Sequence, residues 1–461
     1  MARVRGPIIA TMSRGSRAAT APVRPLDAVR LWPATRPLAA LVSGPAGDGG
    51  GTWARRSILA EPKEIRCVRV PPGTPEREAR RAIEAELRGA FRRRVPGGTP
   101  NAGWIVSLSY DLGRILEPAA QAPIGARDDR DWPLALLAWC PDTLVFDHAT
   151  GEWSIAGDPA GVPLDARRLA EAAPGDLSFR AGPVESPIGR DGYEWAVSRT
   201  VELIHAGDLF QANLARRLEA PFTGSVRGFA AAALEASGAW FGGLIEDEGR
   251  AIVSMSPELF LDLDARRRVV TRPIKGTLPA SADPARLLAS EKDGAELAMI
   301  VDLMRNDLGR VCEIGSIRVE SGRTIESHPT VHHGVAEVSG RLRDGLDRFD
   351  LLAATFPPGS VTGAPKIRAM QVIDELEPAR RGAYCGAMGL LGGDGSMTLN
   401  VSIRTASIAG RGVPHRVDHL EGTLDYWAGC GIVADSRPDE EWRESETKSE
   451  VLRLAVQPCD R

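Results

Sequence analysis

The 461-residue chain has no CxxC pair, and its six cysteines, at positions 67, 140, 312, 385, 430 and 459, show no metal-type spacing. That argues against a disulfide framework or a cysteine-built zinc site and suits reduced thiols in a cytoplasm. Net charge is also scarce: −4, with a pI near 6.1, gives no support for a nucleic-acid or membrane-surface partner. No apolar run approaches membrane-spanning length, and no secretory h-region is present. Internal repeats and low-complexity tracts are absent too. What remains is an ordinary globular balance, 43% hydrophobic and 26% charged, long enough for two or three domains or one large assembly.

Residues 1–24 carry five arginines and no acid. They read as a basic disordered tail, a transit-like segment, or translation begun ahead of Met12. Strand signals start within 25–60 and are interrupted by the Gly/Asp cluster 44–51. A charged helical run covers 75–94, a strand 104–110, another strand 133–140, and a hairpin 144–155. The Pro/Gly/Asp-rich stretch 158–190 is the candidate linker. Beyond it, a helix bearing Val197, Val201 and Ile204 stops at Gly207 and a strand follows through 207–214. A strand is expected at 251–254, a hairpin at 259–270, one long helix at 285–308, a strand at 399–404 and a final helix at 439–456. Helices mixed with alternating strands indicate an α+β fold with antiparallel sheets. The chain divides into the tail 1–24, an N-terminal region 25–160 packed on the core, and a region 190–456 that holds the chemistry.

Within that last region, Thr271-Arg272-Pro273-Ile274-Lys275-Gly276-Thr277 predicts a strand ending at a fixed turn. A lysine withdrawn from water in such a place serves as a nucleophile or base; alone, it is more often an ordinary turn residue. Two acid pairs sit three apart on predicted helices, Asp293 with Glu296 and Glu441 with Glu444, so each pair shares a face. Glu441, Glu444 and Lys448 lie on the stripe that continues into Val451, Leu452 and Ala455, pointing inward. Converging buried carboxylates need a cation, and oxygen donors without histidine or cysteine favour Mg²⁺. Spacing alone equally describes solvated faces with salt bridges. Two glycine-rich stretches, 356–366 and 428–433, offer bare backbone for an anion, although the first lacks Walker spacing and either can reflect tight packing. Arg404, at a strand end, has the geometry to clamp a carboxylate.

Taken together, GDLFQANL (207–214), SPELF (256–260), PIKGT (273–277), SEKDGAELAMIVDLMRNDLGRV (290–311), GSVTGAPKIRAMQVIDELEP (359–378), RRGAYCGAMG (380–389), LNVSIRT (399–405) and GCGIVADSRPDEEWRESETK (429–448) resemble the chorismate-utilising enzymes. The match runs in order over about residues 190–455. The resemblance implies a large two-sheet antiparallel β-sandwich with helices outside, as in anthranilate synthase component I, with the active site between the sheets.

It also implies roles. Family members that add water to chorismate carry a lysine base where this chain has Gln211, so hydration is not expected. PIKGT is typical of the family's aminodeoxychorismate synthases, whereas anthranilate synthases typically have alanine at the position of Lys275. The implied reaction has Lys275 attack the ring at C2, Glu258 assist departure of the C4 hydroxyl, and ammonia add at C4. Glu296 and Glu444 match the Mg²⁺ ligands, with Asp293 and Glu441 supporting through water. Arg404, Tyr384, Gly429, Gly431 and Lys448 match substrate contacts, and Thr277, His333, Thr362 and Gln211 match pocket residues. Leu297, Gly334 and Asp293 depart from the usual family residues without removing a catalytic group. No glutaminase nucleophile elbow is present, so ammonia is expected from a separate glutamine amidotransferase subunit, and a separate aminodeoxychorismate lyase is expected downstream. Anthranilate synthesis and a catalytically silent regulatory subunit are the rival readings.

Overall fold

A glycine in the left-handed region, Gly207 at φ +86°, turns the chain out of the helix Gly189–His205 toward the strand Gln211–Ser225. That strand pairs antiparallel with Arg416–Ile432, from Ala212 opposite Ile432 to Ser225 opposite His419. The computed structural model describes residues 23–44, 54–70, 73–122, 125–328 and 331–456. The basic stretch 1–22, most of the Gly/Asp cluster and Cys459 lie outside them.

The long pair anchors an 11-stranded sheet, which faces a 10-stranded one, and every ladder between named strands is antiparallel. Residues 39–156 supply strands to both sheets. Arg56–Ala60 and Thr143–Asp147 join the first, while Gly103–Leu108 and Ala135–Cys140 join the second. Buried Trp104 and Trp139 pack against each other across that last pair, ring centroids 5.0 Å apart and planes tilted by 58°. The helices Gly189–His205, Val226–Ser237 and Pro438–Val456 cover the outside of the first sheet, and Glu291–Gly309 covers the second. This is the expected antiparallel sandwich with outer helices.

The chain passes between the sheets at two places that matter for function. Arg250–Ser256 belongs to the first sheet and Leu259–Leu263 to the second, so Pro257-Glu258 is a crossing. Met397–Asn400 belongs to the second and Thr405–Val413 to the first, so 401–404 is another. The crossings are tied together: Val401 N donates to Glu258 O at 3.0 Å, and Ser256 Oγ to Val401 O at 2.6 Å.

Four local expectations need correction. The strand expected through Arg404 ends at Asn400, where the chain leaves the sheet for the crossing, and Arg404 itself adopts φ +48°, a conformation closed to a strand. The long helix at 285–308 is two, Ala285–Ala289 and Glu291–Gly309, divided where Ser290 Oγ caps Asp293 N. The stretch 158–190 is no structureless linker: it contains a helix, Ala166–Glu171, and a strand, Phe179–Ala181, which pairs with Gln211–Ser225. Finally, the strand Arg268–Arg272 does not turn at Pro273. It breaks there and resumes as Ile274–Pro279 along the same partner, Val331–Arg341.

Candidate active site

Lys275 is aimed by a bulge. Ile274 pairs with Val335 and Thr277 with His333, so Lys275 and Gly276 together face the single residue Gly334. The bulge needs glycines. Gly276 sits at φ +85° with Asp293 and Leu287 against it, and a Cβ on Gly334 would lie 2.5 Å from Lys275 O. Leucine, usual for the family at position 334, would collide with this backbone, so the departure and the bulge fit each other. The Lys275 side chain is 12% exposed, with Nζ 3.8 Å from Glu296 Oε2. A Cβ on Gly431 would come within 3.2 Å of Lys275 Nζ and 2.4 Å of Gln211 Nε2. The Gly-Cys-Gly backbone, the lysine and the glutamine therefore share one small space. Gln211 Oε1 is buried there with no partner.

Glu258 stands at the other side of Ile274. It is 3% exposed, and its carboxyl accepts from Ile274 N at 3.4 Å. Burial pushes its pKa up to about 7, against the opposing pull of the Ser360 hydroxyl and the Lys275 charge. A carboxyl that gains and loses its proton near neutrality is suited to acid–base work.

At the second crossing, burial lowers the pKa of the Arg404 guanidinium, and Arg404 in turn disfavours charge on two histidines. Burial and then Arg404 drive His333 well below its usual value and His328 down to about 4, so both imidazoles are neutral. His333 Nδ1 lies 2.9 Å from Thr277 Oγ1, while the Nε2 atoms of both rings have no partner. His328 packs on Trp240, centroids 4.1 Å apart. Neutral donors around a cation in a buried place suit an anionic ligand.

The acids arrive from two helices. Glu441 and Glu444 project from Pro438–Val456 toward Cys430, and ligand atoms of the three lie within 4.8 Å of one another. Glu296 and Asp293 are not in that group: Glu296 faces Lys275, and Asp293 lies 3.9 Å from Arg323. Lys448 Nζ donates to Gly429 O at 2.9 Å and lies 2.7 Å from Glu444 Oε1. Glu444 is half open to solvent, yet Lys448 chiefly, with Lys292 and Lys275, holds its pKa below the ordinary carboxylate range. Glu441 moves the other way, raised by burial, although Ser436 Oγ donates to it at 2.7 Å. A lysine nitrogen lies 3.8 Å from Glu296 and another 2.7 Å from Glu444, and the hard oxygens of these carboxylates suit a divalent cation such as Mg²⁺.

Two expected contacts are engaged elsewhere in this state. Tyr384 is buried and its ring stacks on Trp427, centroids 5.9 Å apart and 8° from parallel. Thr362 Oγ1 lies 3.2 Å from both Pro358 O and Gly359 O. The amides of Val361 and Thr362 close turns within 358–362, and the following Gly363-Ala364 pairs with Gln211–Ser225, so these two amides are not free to hold an anion. Gly429 would place a Cβ 2.3 Å from Leu214 O, so it is bare because strands pack closely there. A buried pair braces this wall: Arg381 donates to Glu377 at 2.6 Å, Asn213 O and Val361 O, while Glu377 accepts from Ala215 N. Sequence reasoning missed Ser360, Lys292, His328 and Trp240. Ser360 and Lys292 sit inside the quoted motifs. The stacking of His328 on Trp240 is long-range and has no local signal.

A profile of chorismate binding enzymes matches residues 53–453. An aminodeoxychorismate synthase component 1 from Klebsiella aerogenes is 39% identical over 351 residues, 74% of each chain. An anthranilate synthase component 1 from Thermus thermophilus is 37% identical over 380 residues, 78% of this chain and 79% of that one. The crystal structure of anthranilate synthase component I from Streptococcus pneumoniae superposes with a TM-score of 0.70 at 28% identity, covering 87% of this chain and 92% of that one. No helix among the described residues is long and apolar enough to cross a membrane. With its signature strings in order, its two-sheet frame and this site between the sheets, the chain belongs to the family of chorismate-utilising enzymes.

Proposed function

We propose that this enzyme is an aminodeoxychorismate synthase component, converting chorismate and ammonia to 4-amino-4-deoxychorismate. The observation that carries the reading is Lys275, set by its bulge beside Glu296, Gln211 and Gly431 and one residue from the Glu258 partner Ile274. Nζ of Lys275 attacks C2 while the C4 hydroxyl departs with a proton from Glu258. Ammonia then adds at C4, the bond from C2 to lysine breaks to restore the amine, and the new C4 nitrogen returns a proton to Glu258. Arg404, with the neutral donors of His333 behind Thr277, serves to orient a substrate carboxylate. Gln211 lacks the basicity to activate water, which disfavours hydration.

Mg²⁺ would be held by Glu296 and Glu444, with Asp293 and Glu441 supporting, and when bound would neutralise a substrate carboxylate. Glu444→Gln is expected to raise the Mg²⁺ concentration needed for half-maximal activity by at least about tenfold, with an unchanged circular dichroism spectrum. Unaltered magnesium activation in that variant would remove Glu444 from the metal site.

The ammonia source is expected to be a separate glutamine amidotransferase subunit. Ammonium at alkaline pH should support turnover by the purified chain, and glutamine should do so only after a glutaminase subunit is added. Glutamine-dependent product from the chain alone, free of contaminating glutaminase, would contradict this.

Anthranilate synthesis is the second reading, supported by the comparable identity of an anthranilate synthase relative. It requires loss of a proton from C2, which a lysine bonded to that carbon would obstruct. Chromatographic separation of aminodeoxychorismate from anthranilate after incubation with chorismate, Mg²⁺ and ammonium decides between the two.

A further inference from the structure

Asparagine is a residue that strands disfavour, yet Asn213 stands inside the strand Gln211–Ser225. Its backbone is held on both sides: the amide donates to Thr362 O at 2.8 Å, and the carbonyl accepts from Arg381. Asn213 lies directly opposite Gly431, and directly paired residues of antiparallel strands point to the same face. Gly431 identifies that face, because a Cβ there would run into Gln211 Nε2 and Lys275 Nζ. Gln211, two residues before Asn213, shares it by alternation. The Asn213 side chain therefore enters the space that Lys275 and Gln211 occupy. It is 7% exposed, and its Nδ2 is buried there with no hydrogen-bond partner. A buried donor left unpaired costs stability, and the strand ladder uses only backbone groups, so nothing in the free protein accounts for an amide at this position.

We propose that Asn213 is a substrate-binding residue whose Nδ2 donates a hydrogen bond to a carboxylate oxygen of bound chorismate. Chorismate carries two carboxylates, which are stronger acceptors than its hydroxyl or its ether oxygen. Lys275 Nζ borders the same space as a second donor, and two donors side by side favour an anionic acceptor over one that must also donate. A site built to hydrogen-bond its ligand holds such a donor open until the ligand arrives, and rejects ligands that lack the acceptor. Both backbone bonds of Asn213 keep the donor in place while it waits. The inference needs only that the chain binds chorismate, and it stands whichever product is formed.

The test titrates chorismate calorimetrically into the full chain carrying Lys275→Ala, with Mg²⁺ and without ammonia, so that no covalent capture contributes. Adding Asn213→Ala, which leaves room for the ligand, should weaken chorismate binding at least about tenfold. Adding Asn213→Asp instead keeps the shape but replaces the donor with a negative charge, and should weaken binding further still. Because Nδ2 has no partner in the free protein, ligand-free Asn213→Ala should melt no lower than the background chain. Unchanged affinity in Asn213→Ala would mean that Nδ2 meets only an ordered water, and would overturn the assignment. A lowered melting temperature accompanying weaker binding would make Asn213 a structural residue and overturn it equally. Tighter binding by Asn213→Asp than by Asn213→Ala would identify a hydroxyl as the acceptor and sink the carboxylate contact. A background chain that binds no chorismate at all defeats the substrate assignment of the whole site, an outcome separate from the other three.

Discussion

Lys275→Ala is expected to lower aminodeoxychorismate formation by about 10²–10⁴-fold and to abolish a covalent adduct that the parent forms with chorismate. The side chain is nearly closed off from water and is held on a bulge whose backbone depends on Gly276 and Gly334. A fixed amine beside the ring replaces an encounter in solution with a local one, which is where proximity contributes most. Incubation with chorismate and Mg²⁺ but no ammonia stalls the cycle at the adduct, so intact mass spectrometry reads it and peptide mapping places it. Some anthranilate could appear in the variant, because loss of the lysine reopens C2 to ammonia. Full aminodeoxychorismate synthesis by Lys275→Ala, or an adduct on another residue, would defeat the lysine mechanism and leave the family membership intact.

The lysine also shows how far a one-dimensional reading reaches. PIKGT marked the position, and Pro273 did interrupt the strand, because proline cannot donate to the ladder. The bulge opposite Gly334 did not register in the sequence, since it depends on the register of a partner strand some 60 residues away. The acid pairs were legible from helical spacing, and Glu441 and Glu444 do share a face toward the sheet. Their pairing with Cys430 was not legible, because it depends on which way a strand presents its alternate residues to a helix. Arg404 was marked as a strand end. Its actual setting, a crossing between sheets in a left-handed conformation, is imposed by the sandwich rather than by residues near it. The neutral state of His328 follows from burial near Arg404, again a property of the assembled fold.

Glu258→Gln is expected to cost about 10²–10⁴-fold in turnover and yet to make the protein more stable in alkaline solution. The carboxyl is buried at a crossing between sheets, and desolvation raises its pKa to about 7. In the unfolded chain it would titrate near the ordinary carboxylate value of about 4.3. Between those values the native chain keeps a proton that the unfolded chain has released, so stability falls as pH rises through this window. The destabilisation is absent below about pH 4, complete above about pH 7, and of order 3 kcal/mol. Glutamine cannot ionise, so the variant escapes it. Denaturant unfolding at pH 5 and pH 8 should show a smaller stability loss in Glu258→Gln than in the parent. At a fixed concentration of free ammonia, turnover of the parent should decline above about pH 7, as the acid that assists hydroxyl departure loses its proton, and the variant's residual rate should lack that limb. If parent and variant lose the same stability between pH 5 and pH 8, Glu258 titrates like a surface carboxylate. The proton for the leaving hydroxyl must then come from elsewhere.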